Sequence, residues 1–310
     1  MRSRILNSVT ETEKIPSERQ NALNGVQTTA GKDIDGWYAK YVLAVLFLVY
    51  VLNAMDRAII GILVEDIKAD LQLSDADMGF LGGAAFAVFY ATFGMAVGRL
   101  ADLWNRTKLL TIGLSVWSLM TALSGLARGF LPLAVCRFGV GVGEAGATPA
   151  IYSILHDYFS PKVRTTIIGI CHSGMVVGGG LGIIVGGIIL DSWKSAWPDA
   201  TMAPFGLHGW QAAFMIVGLP GLLVALWVST LREPVRGQGD GIYSEPHSHP
   251  FREMLVVLAG MLPVANLWVM TKAGAGKRII SANLAAGLII VLVSNTLIQS
   301  TGHGLQWSAF

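Results

Sequence analysis

Two long apolar runs of the chain are separated by a short charged segment, which reads Gly98-Arg99-Leu100-Ala101-Asp102-Leu103-Trp104-Asn105-Arg106-Thr107-Lys108. Each flanking run approaches the roughly 20 apolar residues that a helix needs to cross a bilayer. The segment is therefore typical of a tight loop between two consecutive membrane helices. Taken alone, Arg106 and Lys108 are also explained as ordinary positive charges that anchor helix ends on the inner side of a membrane.

The whole chain has the composition of a membrane protein. Of its 310 residues, 53% are hydrophobic and 14% are charged, and the mean hydropathy is +0.57. These values are too apolar for a soluble domain of this length. The sequence predicts an all-α membrane protein whose seven candidate spans lie at 39–62, 78–98, 109–128, 131–154, 165–190, 212–231 and 280–300.

The distribution of charge between these spans predicts their orientation. The loop at 65–77 carries five acidic residues against Lys68 alone, whereas the loops at 99–108 and 156–164 are basic. Because short basic loops stay on the cytoplasmic side, we expect the first loop outside and the other two inside. The amino terminus is then cytoplasmic, and the expected location is the inner (plasma) membrane of a bacterium.

The same runs divide the chain into four parts. The segment at 254–270 is short for a span, contains Pro263 and Asn266, and has basic residues on both sides, so we expect it to lie at the interface or to re-enter the membrane. The predicted parts are a disordered cytoplasmic tail at 1–37, a six-helix half at 38–232, a cytoplasmic linker with an interfacial segment at 233–279, and a further helix at 280–310.

The charged segment resembles the cytoplasmic loop between helices two and three of the major facilitator superfamily of transporters. Gly98, Asp102 and Arg106 stand at places that match the family pattern, and Lys108 supplies the last charge one position late. The departures are Leu103, Asn105 and Thr107. We expect Asn105 to adopt the left-handed backbone of a tight turn, in place of the glycine that is usual there.

In that family, the aspartate and the basic residues of the loop pair across the cytoplasmic ends of the two halves and hold one state of the transporter. The resemblance therefore implies a cytoplasmic gating loop that consists of Gly98, Asp102, Arg106, Lys108, Asp157 and Arg164.

Four charged residues fall inside predicted spans, Asp56 and Arg57 in the first, Arg137 and Glu144 in the fourth. Each costs roughly 2.5–3.5 kcal/mol at the bilayer centre on insertion scales, so pairing or a wet cavity is expected. Asp56 and Arg137 both lie about six residues from the outer end of their spans, and Glu144 lies two turns deeper. A static ion-pair cluster that only joins the two helices explains the same residues.

The segments 53–57 and 137–145 are similar to those of the spinster-like branch of the superfamily, and the resemblance covers roughly residues 38–235. It implies a proton-coupled secondary transporter of a small organic or amphiphilic, lysolipid-like solute that works by alternating access. In this interpretation Arg57 and Arg137 bind an anionic head group, and Asp56 and Glu144 form the proton-sensitive pair. The implied partners are the lipid bilayer, the solute and protons.

A run of glycines predicts close helix packing. Gly174, Gly178, Gly182 and Gly186 recur every four residues of the fifth span and therefore lie on one face of a helix. Small residues at this spacing let two helix backbones approach closely in a membrane. Such a face serves tight packing alone, or it also allows one helix to slide along another.

The superfamily builds two six-helix halves, each from two inverted three-helix repeats. The chain supplies the first half, the linker and one further helix, so we expect a fragment whose C-terminal half is provided in cis or by a partner in trans. A different hypothesis is a membrane interaction module without transport activity, or a half-transporter that acts only after assembly.

Other classes of function find little support. His172-Ser173 has no matching acid or oxyanion loop, so no enzyme is predicted, and neither a cofactor nor a metal site is expected. Cys136 and Cys171 lie inside apolar spans and predict no disulfide framework. The basic residues are dispersed along loops, which argues against a nucleic-acid partner.

Overall fold

A computed structural model of the chain describes residues 34–241, 248–261, 263–272 and 274–301. Every regular element in these ranges is a helix. Most of the predicted tail at 1–37, part of the predicted linker and residues 302–310 lie outside the described residues.

Nine helices of ten or more residues lie in the described ranges, and we label them in chain order. They are α1 (Trp37–Leu71), α2 (Asp75–Leu103), α3 (Arg106–Ser124), α4 (Phe130–Tyr158), α5 (Arg164–Ala196), α6 (Gly209–Ser229), α7 (Pro250–Met261), α8 (Pro263–Lys272) and α9 (Lys277–Thr301). Seven of them, α1–α6 and α9, are long and apolar enough to cross a membrane. The prediction of seven candidate spans in an all-helical protein is confirmed.

Two irregularities interrupt the longer helices. Near its start α2 contains a π-helical turn, Phe80–Ala84, and α4 is broken after Glu144 before it resumes at Ala147. Local departures of this kind occur often at functional sites, because they re-aim side chains. The break in α4 follows directly on one of the charged residues singled out from the sequence.

The packing of α1–α6 has an internal symmetry. α1 packs against α5 and α6, α4 packs against α2 and α3, and α3 packs against α6. If α1, α2 and α3 exchange places with α4, α5 and α6, the α1–α5 and α1–α6 pairs become the α4–α2 and α4–α3 pairs, and the α3–α6 pair becomes itself. Because each group holds three helices that alternate in direction, the two groups are inverted relative to one another, which is the pattern of two inverted three-helix repeats.

The bundle has two distinct ends. We call the end with the α2–α3 and α4–α5 turns the basic end, and the end with the α1–α2 turn and the α5–α6 loop the acidic end. One buried apolar cluster includes α1 residues between Ala39 and Tyr50. A second cluster includes α1 residues between Ile59 and Ile67. Asp56 lies on α1 between these two clusters, so the charged residues occupy the middle of the bundle.

The helices are longer than the predicted spans, so two segments that were predicted to be loops are largely helical. α1 continues to Leu71, so the loop expected at 65–77 shrinks to a short turn before Ser74, which caps the next helix together with Asp77. The segment expected to be a loop at 99–108 is mostly helical, because α2 ends only at Leu103 and α3 begins at Arg106. Apolar length reports only the part of a helix inside the lipid, and polar turns extend beyond it.

The Asn105 backbone also differs from the prediction. Its φ of −65° and ψ of 114° are extended, not left-handed, and its side-chain oxygen accepts a hydrogen bond of 2.7 Å from the Lys108 backbone N–H. Asn105 is therefore the N-cap of α3, a role that asparagine performs well because its short side chain reaches the free N–H groups of the first turn.

After α6 the chain turns back along the basic end. α7 packs against α2, where the Phe251 ring lies 5.0 Å from the Trp104 ring, centre to centre. α7 and α8 are bent by 111° relative to one another, as in a broken span or a re-entrant pair. The prediction that 254–270 does not cross the membrane stays a prediction. α8 contacts α9, whose described side chains are mostly exposed.

Candidate functional site

An ion pair joins α1 to α4 at the middle of the bundle. Arg57 Nε donates to Glu144 Oε2 at 2.7 Å, and the Arg57 guanidinium lies over the rings of Phe86 and Tyr90 on α2, 4.7 Å and 4.9 Å from their centres. The Arg57 side chain is 33% exposed, whereas that of Glu144 is fully buried. The arginine is therefore the member of the pair that an incoming solute could reach.

The second carboxylate has a different partner. Asp56 Oδ2 accepts a hydrogen bond of 2.9 Å from Thr121 Oγ1 on α3. Arg137 is 3% exposed, its guanidinium lies 5.6 Å from the centre of the Phe214 ring, and it interacts electrostatically with both Asp56 and Glu144. Two arginines and two carboxylates thus balance in charge, although only one pair is in direct contact.

Three buried polar atoms of this cluster have no hydrogen-bond partner among the described residues: Asp56 Oδ1, Arg137 Nε and Glu144 Oε1. An unsatisfied buried polar atom typically costs about 1–3 kcal/mol. Each of these atoms keeps the capacity for one further hydrogen bond.

The structure brings together all four charged residues that the sequence singled out. Asp56 and Arg137, which the sequence placed at one depth, interact electrostatically, and the direct ion pair is formed by Arg57 and Glu144. Sequence reasoning missed Thr121, because a hydroxyl inside an apolar helix commonly bonds its own backbone and gives no distinctive signal.

A second network closes the basic end around Arg106, whose side chain is 1% exposed. Its Nε donates to Glu233 Oε1 at 2.7 Å, and it forms an ion pair with Asp157 on α4. The same guanidinium donates to the hydroxyl of Ser153 at 3.0 Å and to the carbonyl of Pro234 at 2.8 Å. One arginine therefore ties the start of α3 to α4 and to the chain that follows α6.

Glu233 is held from two sides. Its Oε2 accepts from the backbone N–H and the hydroxyl of Thr107 at 2.8 Å and 2.7 Å, which caps the first turn of α3. Burial by itself raises the pKa of Glu233, but the charge and hydrogen bonds of Arg106, with those of Thr107, outweigh it, and the pKa lies below its ordinary value. The residue is therefore a carboxylate at neutral pH.

The segment 233–241, which we call the docked segment, continues this network. Gly237 N–H donates to Asp157 Oδ1 at 2.9 Å, and Arg236 donates to the carbonyls of Ala101 and Trp104 at 3.0 Å and 2.8 Å. Arg164 donates to Asp240 Oδ1 at 2.9 Å. The docked segment thus lies across the ends of α2, α4 and α5.

Three residues of the predicted gating loop are not part of this network. Gly98 has open space where a Cβ would stand, and the side chains of Asp102 and Lys108 are exposed. Asp102 interacts only electrostatically with Arg236, and Lys108 contributes its backbone N–H to the cap of α3. The structure therefore joins Arg106, Asp157 and Arg164 through the docked segment, whose residues were not among those of the predicted gating loop.

The four predicted glycines lie where α5 meets α1. A Cβ at Gly178 would stand 2.2 Å from the Val51 carbonyl oxygen, and one at Gly174 would stand 2.9 Å from that of Phe47. At Gly182 and Gly186 the nearest atoms of α1 would be 3.0 Å and 3.2 Å away. The two backbones approach most closely at Gly178, where there is no room for a side chain, whereas at Gly186 the neighbouring atoms are the side-chain ends of Ile59 and Ile62.

Inverted three-helix groups, charges at mid-bundle and an ionic network at one end define a class, the secondary transporters that work by alternating access. The chain belongs to the Major Facilitator Superfamily, whose family model matches residues 46–310. It is therefore a member of a transporter family, not of an enzyme family.

Several relatives show where in this family the chain falls. A bacterial homologue of the human lysosomal transporter Spinster, solved in an inward-facing and occupied conformation, is 39% identical, with a TM-score of 0.61 over 66% of this chain and 46% of that one. Protein spinster homolog 1 of Xenopus laevis is 32% identical over 64% of this chain and 36% of its own length. An MFS-type efflux pump of Mycolicibacterium smegmatis is 32% identical over 59% of this chain and 39% of its own length.

The predicted resemblance to the spinster-like branch and the predicted all-helical fold of this superfamily are confirmed. The chain spans about two fifths of the length of the curated relatives that it matches. The roles of individual residues in transport stay predictions.

Proposed function

We propose that residues 38–232 form the N-terminal half of a proton-coupled secondary transporter of small organic or amphiphilic, lysolipid-like anions. The observation that carries this proposal is the ion pair between a fully buried Glu144 and a partly exposed Arg57. The proposal is also supported by the chain's membership in a family of transporters, with relatives that include a spinster homologue and an efflux pump.

In this proposal, transport is coupled to protonation because Glu144 and the transported anion compete for Arg57. Among the described residues, Glu144 provides the only ion pair of Arg57. Protonation makes Glu144 neutral and removes most of its attraction for the guanidinium, which stays over the rings of Phe86 and Tyr90. Arg57 is then available to a carboxylate or phosphate head group, and Arg137 adds a second positive charge nearby. Loss of the proton restores the pair and displaces the anion.

The gate belongs to the same proposal. The network of Arg106, Asp157 and Arg164 with the docked segment holds one end of the half closed, and alternating access requires it to loosen when the half rocks against its counterpart. By the distribution of basic residues this end faces the cytoplasm of a bacterium, with the amino terminus on the same side. The counterpart is a C-terminal half supplied in cis or in trans.

Flux measurements in liposomes test the proposal. The full chain, together with any product that extends it through its natural reading frame, is reconstituted and supplied with a panel of lysolipids and small organic anions under an imposed proton gradient. Glu144→Gln is expected to abolish the dependence of flux on the gradient while substrate binding persists. Glu65→Gln is the matched control, because it removes a similar carboxylate whose side chain is 84% exposed.

Gradient-dependent flux that survives in Glu144→Gln contradicts the coupling role of Glu144. Specific association of the chain with a partner, without flux of any solute in either form, favours the interaction module instead. The exposed apolar side chains along α5, such as Val176 and Ile183, are the observation on which that second function would rest.

A further inference from the structure

A cavity of about 620 Å³ opens at the acidic end, away from the charge cluster. It lies between the α3–α4 turn, the end of α5, the α5–α6 loop and the outer face of α6. None of the four charged residues of the transport proposal lines it. Its walls are mainly apolar and include Leu126, Trp193, Phe205, Leu207, Ile216 and Leu219.

Part of the apolar wall is exposed at the surface of the helix bundle. Leu126, Ile216 and Leu219 are about half exposed, although they belong to or flank helices of spanning length. An apolar wall of this kind accepts hydrocarbon, since a membrane offers nothing else at that depth. Trp193 stands at the same rim with its Nε1 donating to the Leu207 carbonyl at 2.9 Å, an arrangement typical of the boundary between lipid and water.

One cation stands at the mouth of this cavity. Arg128 lines it, is exposed, and forms neither an ion pair nor a hydrogen bond with any of the described residues. Three acidic residues near this end have other partners: Asp66 pairs with Lys194, Asp70 accepts from Trp210, and Asp199 accepts from Thr201. A guanidinium at a lipid interface binds phosphate oxygens readily, because its paired N–H groups match their geometry.

A strained residue shapes the same mouth. Phe205 has a φ of 58°, in the left-handed region that bulky residues rarely adopt, and its ring is 97% exposed. This conformation is unfavourable for a bulky side chain, and exposure of the apolar ring to water adds to the cost. Contact between the ring and lipid would offset it.

We propose that this cavity binds an anionic phospholipid of the leaflet at the acidic end, with its phosphate on Arg128 and an acyl chain against α6 beneath Phe205. The charge of Arg128 selects the head group, and the apolar wall selects the chain. The site is separate from the proposed transport site and does not depend on transport.

Native mass spectrometry of the delipidated full chain tests this assignment by titration with phosphatidylglycerol or phosphatidylcholine of equal chain length. Arg128→Gln is expected to weaken the tightest phosphatidylglycerol site about tenfold, the effect of losing a charge-assisted hydrogen bond, and to weaken phosphatidylcholine binding less, because the choline of that lipid offsets the charge of its phosphate. Arg128→Lys should keep the preference for the anionic lipid. Phe205→Asn, which tolerates the left-handed backbone, should weaken both lipids alike.

Lys108→Gln is the matched control, because it removes an exposed positive charge at the basic end. An equal loss of phosphatidylglycerol in Lys108→Gln and Arg128→Gln would overturn the assignment, since the effect would then be one of overall charge. An unchanged ratio of the two lipids in Arg128→Gln would overturn it as well. So would displacement of the lipid by a transported solute, because the cavity would then belong to the solute.

Discussion

Replacement of Gly178 by alanine should force α5 away from α1. A Cβ there would stand 2.2 Å from the Val51 carbonyl oxygen and 2.8 Å from its carbonyl carbon, whereas ordinary contacts begin at 3.4 Å. The obstacle is backbone, which cannot rotate away as a side chain does, so the helices must separate by about 1 Å at this level. Overpacking of this kind costs about 1–3 kcal/mol, and we expect the upper half of that range.

The next residue supplies a matched control. Gly179 is on the same helix, but a Cβ there meets nothing within 4 Å. Gly179→Ala should therefore be neutral or stabilise the helix by up to about 1 kcal/mol through its higher helix propensity. The two substitutions add the same methyl group at adjacent positions, so they isolate the contact with α1 from every general effect of alanine.

The chain contains its own reporters for the assay. Cys136 and Cys171 are its two cysteines, both free and buried, and Cys171 is on α5. A dye that fluoresces on reaction with thiols follows their exposure during thermal unfolding in detergent. At about 2–4 °C per kcal/mol, Gly178→Ala should lower the midpoint by roughly 4–12 °C. A midpoint in Gly178→Ala equal to or above that of Gly179→Ala would refute the close approach of the two helices.

The networks give three further predictions. Arg106→Gln should destabilise the folded chain by about 3–5 kcal/mol, because it leaves Asp157 buried without its cation, and thermal unfolding measures this. Thr121→Val should cost about 1–2 kcal/mol, since it removes the hydrogen bond to Asp56 with little change of shape, and a Thr121→Ser variant that matches wild type is the control. The lowered pKa of Glu233 means that its carboxylate holds the docked segment at pH above the ordinary value of 4.5 and loses this effect as the pH falls through the lower folded value. Protection of the amides of residues 235–241 against exchange, measured relative to the intrinsic rate at each pH, should therefore fall below pH 4.5 in the wild type and be lower at neutral pH in Glu233→Gln than in the wild type; equal protection in the two at neutral pH would show that Glu233 does not hold the segment.

The number and order of the membrane helices follow from the sequence, because the bilayer demands one apolar run per span. The ends of the helices do not, since nothing outside the lipid requires a helix to stop. Thus the acidic residues at the end of α1 are helical as far as Leu71, and only two residues separate the end of α2 from Arg106. At Asn105, too, the sequence predicts the turn but not its conformation, because only the backbone angles distinguish a left-handed turn from a helix cap.

The sequence predicts which charged residues form the candidate site, but it does not predict which of them form the direct ion pair. Charges inside apolar runs are conspicuous, so Arg57 and Glu144 stand out from the sequence alone. Which charges meet depends on the rotation and height of each helix, and these are fixed by packing such as that of Gly178 on α1. Glu233 illustrates a second limit, since the sequence around it indicates the end of the sixth helix, whereas its hydrogen bond with Arg106, 127 positions away, depends on the fold.

The network around Arg106 also imposes an order on biogenesis. Its partner on α4 is synthesised 51 residues later and its partner after α6 127 residues later. A ribosome that delivers helices to the membrane one after another leaves this arginine without its final partners until the sixth helix has emerged. The basic end can therefore be locked only when the whole half has been inserted, and chains interrupted before Glu233 should present an unlocked bundle to the proteases that survey membrane assembly.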